Sequence, residues 1–173
     1  MKFTILPMLL ALSAPAAAET CEQHLQAELV RQREIAINIY IQHAPRFLSI
    51  TLRMAGPDEL PSNVWAQSHP LVNTIAIAPK VCDLPEHWQA AEVAHEFGHI
   101  ITDAFYPQFM DDQLAHPTRH NFEQDEHFAR YYGAKLLTTQ YREDLLATFT
   151  AKCNNGSAGY CNLRDDWVFG FTH

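Results

Sequence analysis

Apolar residues recur at helical spacing over 22–42. Leu25, Leu29, Ile35 and Ile39, with Val30 or Ala36, share one side, and Ala44-Pro45 ends the run. The period then changes. Leu48, Ile50, Leu52 and Met54 alternate with Ser49, Thr51 and Arg53, the two-residue repeat of a strand. Gly56-Pro57-Asp58 and Pro61-Ser62-Asn63 mark turns, and N-T-I-A-I-A at 73–78 predicts a second strand closed by Pro79. Asp83 and Glu86 have capping-box spacing and open a long helix running to about Phe105, before Pro107. The stretch 107–121 reads as loop, and a further helix covers about 122–137 or beyond. The tail holds a Cys-flanked loop and a short apolar end, Trp167-Val168-Phe169. This order predicts an α+β domain, with helices beside a small sheet and a helical C-terminal part. No repeat or low-complexity linker divides the chain.

Composition changes this picture at the N-terminus. Met1-Lys2 precedes an apolar run, then small residues ending in Ala16-Ala17-Ala18, which is the layout of a secretory signal peptide over 1–18. The apolar run is short and interrupted by Pro7, unlike a membrane anchor. The expected product is one domain, 19–173, exported to the periplasm or secreted, with no membrane span. The 173-residue chain carries a formal charge of −8 and has no Lys/Arg cluster, which argues against nucleic acid or an anionic membrane surface as partner. The four cysteines, Cys21, Cys82, Cys153 and Cys161, read as two disulfides in an exported chain. Three connectivities are possible. Cys153 and Cys161 flank a short Asn/Gly/Ser stretch and suit each other, leaving Cys21 with Cys82. Cysteine ligation of zinc is the weaker alternative, because no C-x-x-C pair is present. Asn155-Gly156-Ser157 matches a glycosylation sequon by pattern.

The strongest chemical signal is His95-Glu96-Phe97-Gly98-His99, an H-E-x-x-H motif inside the long predicted helix. Residues four apart lie one turn apart on one face, so both imidazoles can reach a single ion. Glu96 sits beside the first imidazole, where it can act as general base on an activated water. The alternative is a helix with two structural histidines. A catalytic zinc site needs a third protein ligand and one open position. The metzincin extension is absent, because Thr102 and Phe105 occupy its Gly and His positions. The third ligand is therefore expected from the later helix. Glu126, Ala129 and Gly133 share a helical face there, continued by Leu136 and Leu137. A carboxylate on such a face needs a reason. The small residues would let this helix press against the motif helix near Gly98. Glu126 is the expected ligand and Glu123 the substitute. Asp125 and His127 are expected off that face. An i,i+4 pair with Arg130 is the plain alternative for Glu126.

With these residues the chain resembles the gluzincins, zincin metallopeptidases that combine H-E-x-x-H with a downstream E-x-x-[AS]-D-x-x-G. Glu126, Ala129 and Gly133 match the Glu, small and Gly positions, and Arg130 stands where the family often has Asp. The stretch Glu126-His127-Phe128-Ala129-Arg130-Tyr131-Tyr132 is also similar to the E-F-F-A-E-A-F segment of lethal-factor-type zincins, with Arg130 again departing from an acidic position. The similarity covers roughly 73–137. It implies a zincin-like fold, one Zn2+ held by His95, His99 and Glu126, and Glu96 as the base that hydrolyses peptide bonds in a peptide or protein substrate. It also implies that the strand at 73–78 is the edge strand along which substrate pairs, an ordinary core strand being the alternative. Asp103 and Glu92, each one turn from the motif, are candidates to orient a ligand imidazole. His116, His120, Tyr106, Tyr131 and Tyr132 are candidates to stabilise an oxyanion. Two further readings stay open: a non-catalytic zinc-binding scaffold, and a metallohydrolase acting on cell-wall peptide amides.

Overall fold

The computed structural model describes residues 20–107 and 119–172. The expected signal peptide, 1–18, lies outside the described residues, as does most of the expected loop at 107–121. Helix α1 spans Cys21–Ile39, α2 Ala44–Leu48, α3 Glu86–Phe105, α4 Arg119–Ala134, α5 Thr139–Asn154 and α6 Ala158–Thr172. Strands β1 (Thr51–Met54), β2 (Ala66–His69) and β3 (Thr74–Ile77) form one mixed sheet. The α+β class expected from the hydrophobic pattern is therefore present. Among the described residues, no helix is long and apolar enough to cross a membrane.

Several boundaries differ from expectation, each for a local reason. Helix α1 begins earlier than 22, because Thr20 and Gln23 form a reciprocal capping box. It ends at Ile39, and Pro45 does not merely stop it. Pro45 sits in the first turn of α2, where its missing N–H costs nothing. Leu48 belongs to α2 and is exposed, while the fully buried Phe47 anchors that helix, so the strand is limited to Thr51–Met54. Asp83 does not cap α3. It ends a 3-10 turn, Pro79–Asp83, and the chain enters α3 through Pro85, whose carbonyl accepts from Trp88 and Gln89. The expected helical C-terminal part is present and extends through the tail read as a Cys-flanked loop with an apolar end. It is a helical hairpin, α5 and α6, whose Trp167 and Phe149 are buried.

The sheet order is β1-β3-β2, with β1 parallel and β2 antiparallel to β3. The strand expected at the edge, 73–78, is therefore central, and its Ile75, Ala76 and Ile77 are all fully buried. The edge position next to α3 belongs to β2, which was not anticipated. Its sequence, Ala-Gln-Ser-His, has a single buried apolar residue, Ala66, and so no alternation to detect.

Cys21 is bonded to Cys82 and Cys153 to Cys161, the expected pairing. The first bridge closes a separation of 61 residues and ties the start of α1 to the turn before α3. The second, with a separation of 8, locks the α5–α6 turn. On loop entropy the longer closure is worth about 4 kcal/mol and the shorter about 2.5 kcal/mol.

Among the described residues, helices α3 and α4 approach most closely, at two glycines. A Cβ placed on Gly98 would lie 2.0 Å from the Ala129 carbonyl oxygen, and one on Gly133 would lie 2.5 Å from the Ala94 carbonyl oxygen. Two backbones touch here, and only glycine allows it. Ordinarily alanine is the better helix former by about 1 kcal/mol. At Gly98 the sign is reversed, because no flexible side chain can yield. Gly98→Ala is expected to destabilise the protein by about 1–3 kcal/mol or more, read as a lower thermal midpoint. An unchanged or raised midpoint would mean that the helices are not in this contact.

Candidate metal centre

The helix crossing brings three side chains together. His95 and His99 lie one turn apart on α3, with ring centroids 4.8 Å apart and planes at 81°. Glu126 of α4 reaches them both. Its Oε2 is 3.3 Å from His95 Nε2, and its Oε1 is 3.6 Å from His99 Nε2. Among the described residues these three form a group, all ligand atoms within 4.8 Å of one another, that could hold a metal ion. Glu123, the substitute from the sequence, is exposed and is not one of the three.

The surroundings orient each member. Asp125 was expected off the contact face. It is instead buried, at 7 % exposure, and its Oδ2 lies 2.9 Å from His99 Nδ1. The reason is the width of the buried stripe on α4. Asp125, Ala129 and Tyr132 form a second row beside Glu126, Ala129 and Gly133, and all three members of that row are buried. The contact at Nδ1 fixes the ring so that Nε2 of His99 faces Glu126. His127 does point away, bonding Asp166 Oδ1 at 3.1 Å through Nδ1.

Glu126 keeps the intrahelical pair with Arg130 as well, with Arg130 Nη2 donating to Oε2 at 3.0 Å. The guanidinium also donates from Nη1 to Asp166 Oδ2 at 2.8 Å, linking α4 to α6. The ligand and ion-pair readings of Glu126 are thus compatible in space.

The electrostatics follow from this packing. Burial opposes ionisation of Glu126, but the hydrogen bonds and charges of His95 and His99 prevail and hold it well below the usual carboxylate range. Burial likewise opposes a charged His99, yet Asp125, Glu126 and Glu96 hold its pKa up at about 10. Two imidazoles facing this much negative charge form a place where a cation is stabilised. Glu92 sits one turn before Glu96. Burial pushes it up to about 7 against the pull of His95, with Glu96 and Glu126 adding to the rise.

Glu96 is buried at 6 % exposure, and its Oε2 accepts the backbone N–H of Ser68 at 2.6 Å. The register explains this contact. Ala78 N–H donates to the Trp65 carbonyl, so Trp65, Gln67 and His69 exchange bonds with β3. Ser68 has the opposite parity, and its N–H faces outward, onto Glu96. Ser68 had no signal in the sequence, because a backbone amide in a polar edge strand leaves none. Asp125 had one, its place beside Glu126 on a helix with a broad apolar face.

The remaining candidates lie elsewhere. Asp103 forms an ion pair with Arg46 of α2, which also donates to Asn73, so it fastens α2 and the start of β3 to α3. Tyr132 packs edge-on against Tyr40 and stacks on Phe105, Tyr106 stacks on Phe128, and Tyr131 faces Phe169 and Lys135. His116 lies outside the described residues, as does the side chain of His120.

Replacing Asp125 by Asn keeps the shape and removes the charge that orients His99. Asp125→Asn is expected to weaken divalent-metal binding about 10–100-fold with an unchanged circular dichroism spectrum, read by calorimetric titration of the metal-free protein. Equal affinity would remove Asp125 from the centre. Compared with protein-family models, curated proteins and solved structures, the chain matches none, so these side chains themselves are the grounds for a functional reading.

Proposed function

We propose that this protein is an exported zinc metallopeptidase of the zincin type, with His95, His99 and Glu126 as metal ligands and Glu96 as general base. The observation that carries the reading is the convergence of two imidazole nitrogens and one carboxylate beside a buried glutamate. The distances suit zinc. Zinc binds nitrogen and carboxylate oxygen at about 2.0–2.2 Å, so neighbouring ligand atoms in a tetrahedral site stand roughly 3.3–3.5 Å apart. Glu126 meets His95 through Oε2 at 3.3 Å and His99 through Oε1 at 3.6 Å, and one ligand atom from each residue lies within 4.8 Å of the others, a set that a metal ion can draw together. Three protein donors of this kind leave a fourth position open, the arrangement of a catalytic site and not of a closed structural one. The two disulfides favour an oxidising compartment, which supports export.

Zinc held there would acidify a water molecule to near neutrality and polarise the scissile carbonyl. The protein's own groups supply the rest. Glu96 takes a proton from the attacking water and delivers it to the leaving amine. Its hydrogen bond to Ser68 fixes the carboxylate against β2. Asp125 holds His99 in the tautomer that presents Nε2. The outer edge of β2 suits an extended peptide adding as a further strand through the groups flanking Ser68, whose own N–H is bonded to Glu96. That role thus moves from 73–78 to β2, the strand with an edge beside Glu96.

Metal analysis of protein purified without added metal is expected to find one zinc per chain. His95→Ala and Glu126→Ala should lose it, and Glu123→Ala should keep it. Retention in Glu126→Ala together with loss in Glu123→Ala would exchange the two carboxylates.

Glu96→Gln is expected to retain the metal and to lower peptide hydrolysis by about 10²–10⁴-fold. Full activity in that variant would exclude the base. A zinc-loaded wild type inert toward both unfolded protein and cell-wall peptides would leave a binding scaffold. Cleavage of cell-wall peptides alone would narrow the substrate to those amides.

A further inference from the structure

A cavity of about 190 Å³ opens beside the candidate metal centre, between α3, α4 and the α5–α6 hairpin. His95 and Glu126 are among its lining residues. Its walls are apolar, built from Trp88 of α3, Phe149 of α5, and Leu163 and Trp167 of α6. Glu92 stands in this wall. Trp88, Glu92 and His95 follow at i, i+4 and i+7, so the three line one face of α3. Glu92 is therefore about one helical turn, roughly 5 Å, from the position of His95 along the axis.

Among the described residues Glu92 makes no hydrogen bond or ion pair, although it is partly buried among aromatic rings. The charged groups that face it are His95, Glu96, Glu126 and Lys80. Arg130 also lines the cavity, but its guanidinium is held between Glu126 and Asp166. Lys80 and Lys152 are engaged with rings: Lys80 lies over Trp65, and Lys152 over Tyr160 and more distantly over Trp88. The balance of charge around the cavity is negative, and among the described residues the Glu92 carboxylate is the charged wall group with no hydrogen bond or ion pair. A partly desolvated carboxylate without a partner is costly, and a cation with an apolar stem would relieve that cost while covering the rings.

We propose that this cavity is a specificity pocket for a basic side chain, lysine or arginine, next to the bond that is cut, and that Glu92 selects it. This rests on the peptidase reading of the adjoining centre. The methylene stem lies along Trp88 and Trp167 and the charged head meets the Glu92 carboxylate. A long side chain is required, because a short one leaves the head a helical turn away from its partner. A neutral aromatic side chain would fill the same walls but leave Glu92 unpaired.

Two measurements separate the pocket from the chemistry. The first is binding of Nα-acetyl-lysine amide and of its norleucine counterpart to the full, metal-loaded protein, followed by tryptophan fluorescence. The lysine compound should bind about 10-fold more tightly, and Glu92→Gln should abolish the difference. Equal binding of the two compounds to wild type, or tighter binding of norleucine, overturns the pocket. The second is cleavage of a peptide series that varies the residues flanking the bond. Wild type should prefer Lys or Arg at one flanking position by a similar factor in kcat/KM. Glu92→Gln should lose that preference, the Lys-to-norleucine ratio in kcat/KM falling to about one, and Glu92→Lys should turn it toward acidic residues. Cleavage without any basic preference also overturns the pocket. Protein that binds the lysine compound through Glu92 yet cleaves no peptide keeps the pocket and refutes the peptidase.

Discussion

The backbone contact between α3 and α4 is the constraint on which the site depends. Gly98 meets Ala129 and Gly133 meets Ala94 at distances that admit no side chain on either glycine. Two helices at ordinary separation are held 8–10 Å apart by their side chains. Removing those side chains at the crossing draws the axes together. Glu126, one turn before Ala129, is then carried to His95 and His99, 3.3 and 3.6 Å away. A glutamate side chain is short, so a wider crossing would strand its carboxylate.

Around this contact, negative charge is layered. Glu126 faces both imidazoles, Asp125 holds the far nitrogen of His99, and Glu96 lies against Ser68 of the edge strand. All of this is buried or half-buried, where unpaired charge is expensive. Pairing satisfies most of it. The carboxylates around His99 favour its protonated form, and His99, His95 and Arg130 favour the ionised form of Glu126. A divalent cation would replace the proton and leave the same partners in place. Arg130, which departs from the acidic residue of the gluzincin pattern, serves a different end. It connects Glu126 to Asp166 and so joins the centre to α6.

The α5–α6 hairpin completes the molecule on that side. Its turn is closed by Cys153–Cys161, and its Phe149 and Trp167 face the motif helix across the cavity containing Glu92. On the opposite side, Cys21–Cys82 and the bond from Gln32 to the Ala90 carbonyl, at 2.9 Å, fix α1 against α3. Helix α3 is thus clamped between α1, β2, α4 and the hairpin.

What the sequence determined was local. The helix carrying the H-E-x-x-H motif, the shared face of Glu126, Ala129 and Gly133, the strand pattern around Leu52 and Ile75, and the short Cys153–Cys161 closure were all legible, and Cys21–Cys82 followed only by elimination. Spacing along a chain fixes which residues share a face or can close a loop. Tertiary structure decided the rest. It made 73–78 the central strand and gave the edge to Ala66–His69, a polar segment whose pairing leaves no hydrophobic period. It turned Asp125 inward, because the width of a buried stripe depends on what packs against it. It carried the C-terminal helical part on through the Cys-flanked turn as a hairpin. Those outcomes depend on partners distant in the chain, and no local pattern of side chains encodes a distant partner's position.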